Sequence, residues 1–162
     1  MNPASPPERI TCFNLDGDPV LLLREHIRYR PVAYGLLIHN DAVLLQKHQP
    51  SGRWQPLTAE LEPGQSLELA LQHHARALLP RPLHIGPLLF ADTHYLAETE
   101  YTGYQLARHY YLLLPEPDGE LDEIPPQVCW QPLSQLSRAQ LQCGYDAIIL
   151  AHQLQERNGN LS

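Results

Sequence analysis

The apolar residues in the first half of the chain fall into short runs that are separated by turn-forming residues. Residues 10–15 and 20–27 are two such runs, and Asp16-Gly17 stands between them. An Asp-Gly pair between apolar runs is typical of a β-hairpin, because glycine readily adopts the positive φ that a tight turn needs. Residues 32–38 and 42–48 flank His39-Asn40-Asp41 in a similar way and predict a second hairpin.

The pattern then changes from strand to helix. Residues 49–65 contain several Pro and Gly residues and predict a loop. Ser66 is the predicted N-cap of a helix over residues 67–79, and Pro80 ends this helix because proline lacks the amide donor that a helix interior needs. The helix carries Leu and Ala on nearly all sides. We therefore expect it to be buried all round, covered by this chain or by a partner subunit.

The second half of the chain returns to strands and ends in a helix. Strands are predicted at residues 83–90, 93–101, 104–114 and 128–131, with an acidic loop at 116–126 and a helix at 146–155. No repeat or low-complexity linker divides the sequence. We expect one domain over residues 1–162, with residues 1–9 as a flexible tail, and an α/β fold with a mixed sheet.

Composition and charge exclude several classes of protein. The 162 residues and 18.4 kDa fit a single core. Eleven Lys and Arg residues against eighteen Asp and Glu give a net charge of −7, which argues against nucleic acid as a partner because non-specific binding needs clustered basic residues. The apolar runs are too short to span a bilayer and the start shows no signal peptide, so we expect a cytoplasmic protein without a membrane partner. The three cysteines show no C-x-x-C spacing and are expected to be reduced thiols.

A series of short motifs between residues 30 and 155 resembles a known family. Gly52-x-Trp54, Glu62-Pro63-Gly64, the predicted helix and Trp130-x-Pro132-Leu133 follow one another in this order. Together they resemble a Nudix domain. The resemblance implies an α/β/α sandwich and a hydrolase of nucleoside diphosphates linked to another moiety. It also implies Mg²⁺ or Mn²⁺ held by the glutamates of the family's motif, the Nudix box.

The reactive positions of the box are occupied by other residues in this chain. With Glu62-Pro63-Gly64 setting the register, the box positions carry Ala59 for the first Gly, Gln65 for the first Glu, His73-His74 for Arg-Glu, Ala77-Leu78 for Glu-Glu, and Pro80 for the closing Gly. Positions 74, 77 and 78 share one helix face, which therefore has no carboxylate. We expect impaired or absent Mg²⁺-dependent hydrolysis, no bound cofactor or metal, burial of Ala77 and Leu78, and a retained role in binding a nucleotide-like molecule or in forming a homodimer.

Other carboxylates offer an alternative, which is an active hydrolase with a non-standard cation site. Glu60 and Glu62 in the loop before the helix could hold Mg²⁺ or Mn²⁺ together with the acidic loop at 116–123, whose acidic residues include Asp118, Glu120, Asp122 and Glu123. A solvated surface is the more frequent role of such charges. His73 and His74 point about 100° apart on a helix, so packing is favoured over a shared metal.

Candidate ligand-binding residues lie before, within and after the predicted second hairpin. Arg28 and Arg30 could bind phosphate through bidentate hydrogen bonds. Tyr34, Trp54 or Tyr104 could stack on a base, although Trp54 fits the core equally well. Glu62 completes the set of candidate ligand-binding residues.

Overall fold

The chain forms two compact units in which strands predominate. The computed structural model describes residues 6–61, 63–79, 83–115 and 124–159, with side chains described up to residue 157. The first unit contains the described residues before Val32 together with Asp92–Arg108, and the second contains those of Val32–Ala91 and His109–Ser162. That the two units belong to one domain over residues 1–162 stays a prediction. No helix in the described ranges is long and apolar enough to cross a membrane.

The first unit is built on the predicted N-terminal hairpin. Strands β1 (Arg9–Phe13) and β2 (Pro19–Leu23) pair antiparallel, and Gly17 in the turn between them has a φ of +85°. This confirms the first hairpin. Arg9 is a strand residue, so the predicted tail does not extend to it, and the Glu8 carboxylate lies 2.9 Å from Nε of Arg24. Residues 1–5 of the predicted tail lie outside the described residues.

The hairpin joins a longer strand that makes the sheet mixed. Strand β1 pairs parallel with β7 (Leu83–Ala97), through Phe13 and Leu96. Strand β8 (Gly103–Pro115) is the next neighbour of β7, so the order in this unit is β2-β1-β7-β8. The prediction had residues 83–90 and 93–101 as separate strands, and they form one strand as far as Ala97. The mixed sheet itself is confirmed.

A small apolar cluster holds the first unit together. Cys12, Leu22 and Ala97 are buried in it. Gly103 passes so close to β7 that a Cβ atom built on it would lie 2.5 Å from the Leu96 carbonyl oxygen. On the same pair of strands, the Arg108 guanidinium donates two hydrogen bonds to the Asp92 carboxylate, at 2.6 and 3.1 Å. The structure describes all three cysteines and none of them forms a disulfide, as predicted; Cys12 is buried, while Cys129 and Cys143 are half-buried.

The second unit contains the rest of the sheet. Its further strands are β3 (Ile27–Leu36), β4 (Ile38–His39), β5 (Ala42–Lys47), β6 (Trp54–Glu60) and β9 (Val128–Pro132). The order is β8-β3-β6-β5-β4, and β9 also pairs with β5. Strands β3, β7 and β8 contribute residues to both units.

Two expectations for this part of the chain need correction. Strand β6 lies inside the segment predicted as a loop, residues 49–65, because it pairs with β3 on one side and β5 on the other. The second hairpin is confined to β4 and β5, where Ile38 pairs with Val43. Asn40 and Asp41 in its turn have φ values of 51° and 57°, the left-handed conformation that these residue types tolerate.

Both predicted helices are present. Helix α1 (Leu67–Leu78) starts at Ser66, whose Oγ accepts a hydrogen bond from the Leu69 amide at 3.1 Å, and this confirms the predicted N-cap. Helix α2 (Tyr145–Gly159) is slightly longer than predicted.

Helix α1 is amphipathic, which corrects the expectation that it is buried all round. It buries Ala70, Leu71 and Ala75 against a core that includes Leu37, Leu44, Leu57 and Leu113, whereas Leu69 is 43% exposed and Ala77 is also exposed. Ala and Leu are strong helix formers, so their presence on a solvent face reflects helix propensity rather than burial.

Candidate functional site

One open cleft in the second unit brings together residues of β5, β6, α1 and the segment before α1. We refer to it as the α1–β6 cleft. Its volume is about 430 Å³, within the roughly 300–1,000 Å³ that is usual for small-molecule sites. The lining residues are Gln46, Thr58, Ala59, Glu60, Gln65, Ala70, His73 and His74. Four of the predicted box positions, 59, 65, 73 and 74, thus lie in one cleft.

A chain of neutral hydrogen bonds connects the helix to the sheet at the cleft. Oε1 of Gln46 accepts from the Thr58 backbone amide at 3.1 Å and lies 3.0 Å from Nε2 of His74. The Thr58 hydroxyl in turn donates to the Ala33 carbonyl at 3.0 Å. Three secondary-structure elements, β5, β6 and α1, are therefore linked through the single amide oxygen of Gln46.

The hydrogen bond to Gln46 determines which ring nitrogen of His74 carries a hydrogen. Because an amide oxygen can only accept, Nε2 of His74 carries the hydrogen and donates it to Gln46, which leaves Nδ1 as an acceptor in the neutral ring. Burial lowers the pKa of His74 from its ordinary value of 6.5, since a half-buried imidazolium loses solvation. His74 is therefore an uncharged hydrogen-bonding group at neutral pH.

The two adjacent histidines have different partners, in agreement with their divergence on a helix. Nδ1 of the exposed His73 lies 3.4 Å from Nε2 of Gln65, whereas His74 contacts Gln46. In the described part of the chain, no group of three or more His, Cys, Asp or Glu side chains has the arrangement of a metal site.

The burial of Ala77 and Leu78, at two of the predicted box positions, differs from the expectation that both are buried. Ala77 is exposed, so the prediction is wrong for this residue. Leu78 is half-buried and packs against the main core, so it is only partly covered. A carboxylate could therefore stand in water at position 77, while at position 78 it would replace an apolar contact.

The oxygen donors that the alternative needs are described only in part. Glu60 is exposed and lines the cleft. Glu62 and residues 116–123, which include Asp118, Glu120, Asp122 and Glu123, lie outside the described residues. Within the described lining, Glu60 is the sole carboxylate, and the oxygen of Gln46 is already used twice. This donor set fits Mg²⁺ poorly, because the ion prefers several carboxylate or water oxygens in octahedral geometry.

The candidate ligand-binding residues outside the cleft occupy varied environments. Arg28 and Arg30 are exposed residues of the first unit, and the Arg30 guanidinium lies 4.0 Å above the ring of Tyr104. Tyr34 is buried and stacks on Tyr110 with ring centroids 4.9 Å apart, so it is a core residue. Trp54 is half-buried in β6, and its carbonyl accepts the Gln142 amide at 2.8 Å. None of these residues is among those described as lining the α1–β6 cleft.

Comparison with solved structures identifies the architecture. A MutT Nudix hydrolase from Burkholderia pseudomallei superposes with a TM-score of 0.59 at 16% identity, covering 76% of this chain and 98% of that one. The chain has the Nudix fold. The ORF135 protein of E. coli gives a TM-score of 0.55 at 16% identity, covering 80% and 92%. An ADP-ribose pyrophosphatase from Streptococcus suis gives 0.51 at 11%, covering 78% and 91%. These structures confirm the predicted fold class.

Comparison of the sequence alone, by contrast, finds no match. No family model matches it, and neither does any curated protein. Support for the Nudix fold therefore comes from the three-dimensional similarity, which agrees with the order of short motifs along the chain.

Sequence reasoning missed two residues of the cleft in this Nudix fold, Gln46 and Thr58. Gln46 follows the buried residues Val43, Leu44 and Leu45 in β5, and this change from apolar to polar within one strand is the signal that could have found it. Thr58 was hidden because its strand was predicted to be a loop. Their role depends on pairing between distant segments, which a local pattern does not encode.

Proposed function

We propose that this Nudix-fold protein binds a nucleotide-like small molecule in the α1–β6 cleft and has impaired or no Mg²⁺-dependent pyrophosphohydrolase activity. The observation that carries the proposal is the hydrogen bond between His74 and Gln46. A neutral imidazole thus stands at the position where the resemblance implies a glutamate. Its hydrogen bond also uses the amide oxygen of Gln46.

Chemistry supports the loss of hydrolysis. Divalent cations assist attack of water on a pyrophosphate by neutralising charge and by generating the nucleophile. Both roles require a cation fixed by hard oxygen ligands, and in the described lining only Glu60 offers a carboxylate. Binding does not need this set of ligands, because a cleft of this volume with several hydrogen-bonding side chains can hold a small molecule directly.

The position of Glu60 supports a second candidate, an active hydrolase that uses non-standard carboxylates. Glu60 lines the cleft, and Glu62 lies two residues further along the chain. In this alternative the two glutamates, with the acidic loop at 116–123, would hold Mg²⁺ or Mn²⁺. A homodimer and the absence of nucleic-acid binding stay predictions.

A substrate screen distinguishes the two candidates. Purified protein is incubated with ADP-ribose, nucleotide sugars and dinucleoside polyphosphates, with Mg²⁺, with Mn²⁺ and with a chelator. We expect no cation-dependent turnover, and binding of at least one of these molecules by calorimetry. Turnover that requires a divalent cation, disappears in Glu60→Gln and persists in the matched exposed variant Glu100→Gln would establish the active hydrolase instead.

A further inference from the structure

The charge of the α1–β6 cleft restricts what can bind in it. Within the described lining, Glu60 is the one acidic side chain and there is no Lys or Arg. Burial lowers the pKa of His74, so its ring is uncharged at neutral pH while Nε2 donates to Gln46. A diphosphate placed here would therefore meet the Glu60 carboxylate with no Lys or Arg in the described lining to offset it. Proteins normally hold phosphates with Arg, Lys, a divalent cation or a helix N-terminus.

The hydrogen-bonding capacity of the cleft is high although its described lining has no Lys or Arg. Since Oε1 of Gln46 is fixed by Thr58 and His74, the amide cannot rotate without losing two hydrogen bonds. Its Nε2 is left as an oriented donor with no recorded partner in the described part of the chain. Nδ1 of His74 and the Glu60 carboxylate add acceptors, and the Ala59 and Ala70 methyl groups add apolar surface.

We propose that the α1–β6 cleft takes an uncharged, hydrogen-bonding molecule or moiety about the size of a nucleoside, bound directly and without a divalent cation. Any phosphate of the ligand lies outside the cleft. Gln46 is the residue that selects for this class, because its amide nitrogen donates to the ligand while its oxygen holds the helix to the sheet. This inference rests on the proposed function and deepens it by naming the ligand class of the same site.

Calorimetric titration tests the inference on the full chain. The probes are adenosine, guanosine, cytidine and uridine, each compared with its 5′-diphosphate at neutral pH, with and without Mg²⁺. We expect at least one nucleoside to bind about tenfold or more tightly than its diphosphate, a difference of about 1.4 kcal/mol, and we expect Mg²⁺ to leave its affinity unchanged. Tighter binding of the diphosphates, a requirement for Mg²⁺, or no binding of any nucleoside overturns the inference.

Two variants test which residues are responsible. Gln46→Glu keeps the oxygen that accepts from Thr58 and His74 but replaces the amide donor, so nucleoside affinity should fall about tenfold or more. Gln153→Glu makes the same change on an exposed face of α2 and should have no effect. Unchanged nucleoside binding by folded Gln46→Glu contradicts the assigned role.

Glu60→Gln provides a test that does not depend on the folding of Gln46→Glu, because Glu60 is exposed. Removing its charge should raise diphosphate affinity towards that of the nucleoside, while Glu100→Gln should not. An unchanged preference in Glu60→Gln refutes the charge argument. Failure of this inference is distinguishable from failure of the proposed function. A preference for diphosphates over nucleosides refutes only the inference, whereas cation-dependent turnover, or no binding of any molecule in the substrate screen, refutes the proposed function.

Discussion

Replacing His74 by glutamate introduces, on helix α1, the residue that the proposed register of the Nudix box has at this position. The structure predicts that this substitution destabilises the fold. A carboxylate at position 74 cannot donate to Oε1 of Gln46. Two acceptors would therefore face each other where the wild type has a donor and an acceptor 3.0 Å apart. Gln46 cannot relieve the conflict by rotating its amide, because its nitrogen would then face the Thr58 amide, which is also a donor.

The expected magnitude follows from the groups that lose partners. The lost hydrogen bond costs about 0.5–1.5 kcal/mol, and a half-buried carboxylate left against an acceptor costs about 1–3 kcal/mol more. We expect His74→Glu to lower the free energy of unfolding by about 2–4 kcal/mol. For a chain of this size that corresponds to a fall in Tm of about 5–10 °C.

Urea titration and thermal melts measure this effect against two matched variants. His74→Gln keeps a side-chain donor for Gln46 and should lose less than about 1 kcal/mol. Ala77→Glu adds the same charge to the same helix at an exposed position and should change stability by no more than about 0.5 kcal/mol. The difference between the two glutamate variants isolates the acceptor conflict from the effect of charge on the helix.

Two results would refute this reasoning. Wild-type stability of His74→Glu would mean that the hydrogen bond to Gln46 contributes nothing. Recovery of wild-type Tm by His74→Glu on addition of Mg²⁺ would mean that the cleft still gathers a cation once one carboxylate is restored, and would favour the active hydrolase.

Three further predictions concern the caps, the close strand contact and the histidines. Ser66→Ala should destabilise by about 0.5–2 kcal/mol in urea titrations, because the Leu69 amide loses its acceptor, while the exposed Ser134→Ala should be neutral. Gly103→Ala should cost about 1–3 kcal/mol by the same measurement, since the new Cβ meets a backbone carbonyl that cannot move aside, and wild-type stability would contradict that contact. Burial lowers the pKa values of three histidines below 6.5, and these are His48, His74 and His94. The unfolded chain therefore binds more protons just below that pH. The contribution of these histidines to stability should be level above about pH 6.5, fall as the pH drops from 6.5 to the lowered pKa values, and level off below them. If the urea concentration at the unfolding midpoint does not decrease as the pH is lowered from 6.5, this last prediction is contradicted.

Local signals predicted the parts of the fold that local chemistry determines. Asp16-Gly17 predicted the first hairpin because its turn needs a positive φ, and Ser66 predicted the start of α1 because its side chain caps the helix. Strand β6 was missed because Pro56 and the nearby glycine predicted a loop. Its pairing with two other strands outweighs that local preference.

The candidate site was predictable only as far as the order of motifs reaches. The resemblance placed Ala59, Gln65, His73 and His74 at box positions, and the structure brings these four residues to one cleft. The hydrogen bond between His74 and Gln46 joins residues that are far apart in the chain, so no periodicity or spacing reveals it. The exposure of Ala77 was also misjudged, because alanine is used in helices both for packing and for its helix propensity.

The pairing of β5 with β9 has a consequence for the order in which the protein folds. Ala42 pairs with Pro132 and Gln46 with Val128, so a strand from the first third of the chain is completed by one from near its end. Closing so long a loop costs chain entropy before any contact forms, which slows folding. During synthesis, one edge of β5 therefore stays unpaired until β9 has left the ribosome. For most of that time the emerging chain exposes the apolar residues Val43–Leu45 to chaperones or to aggregation.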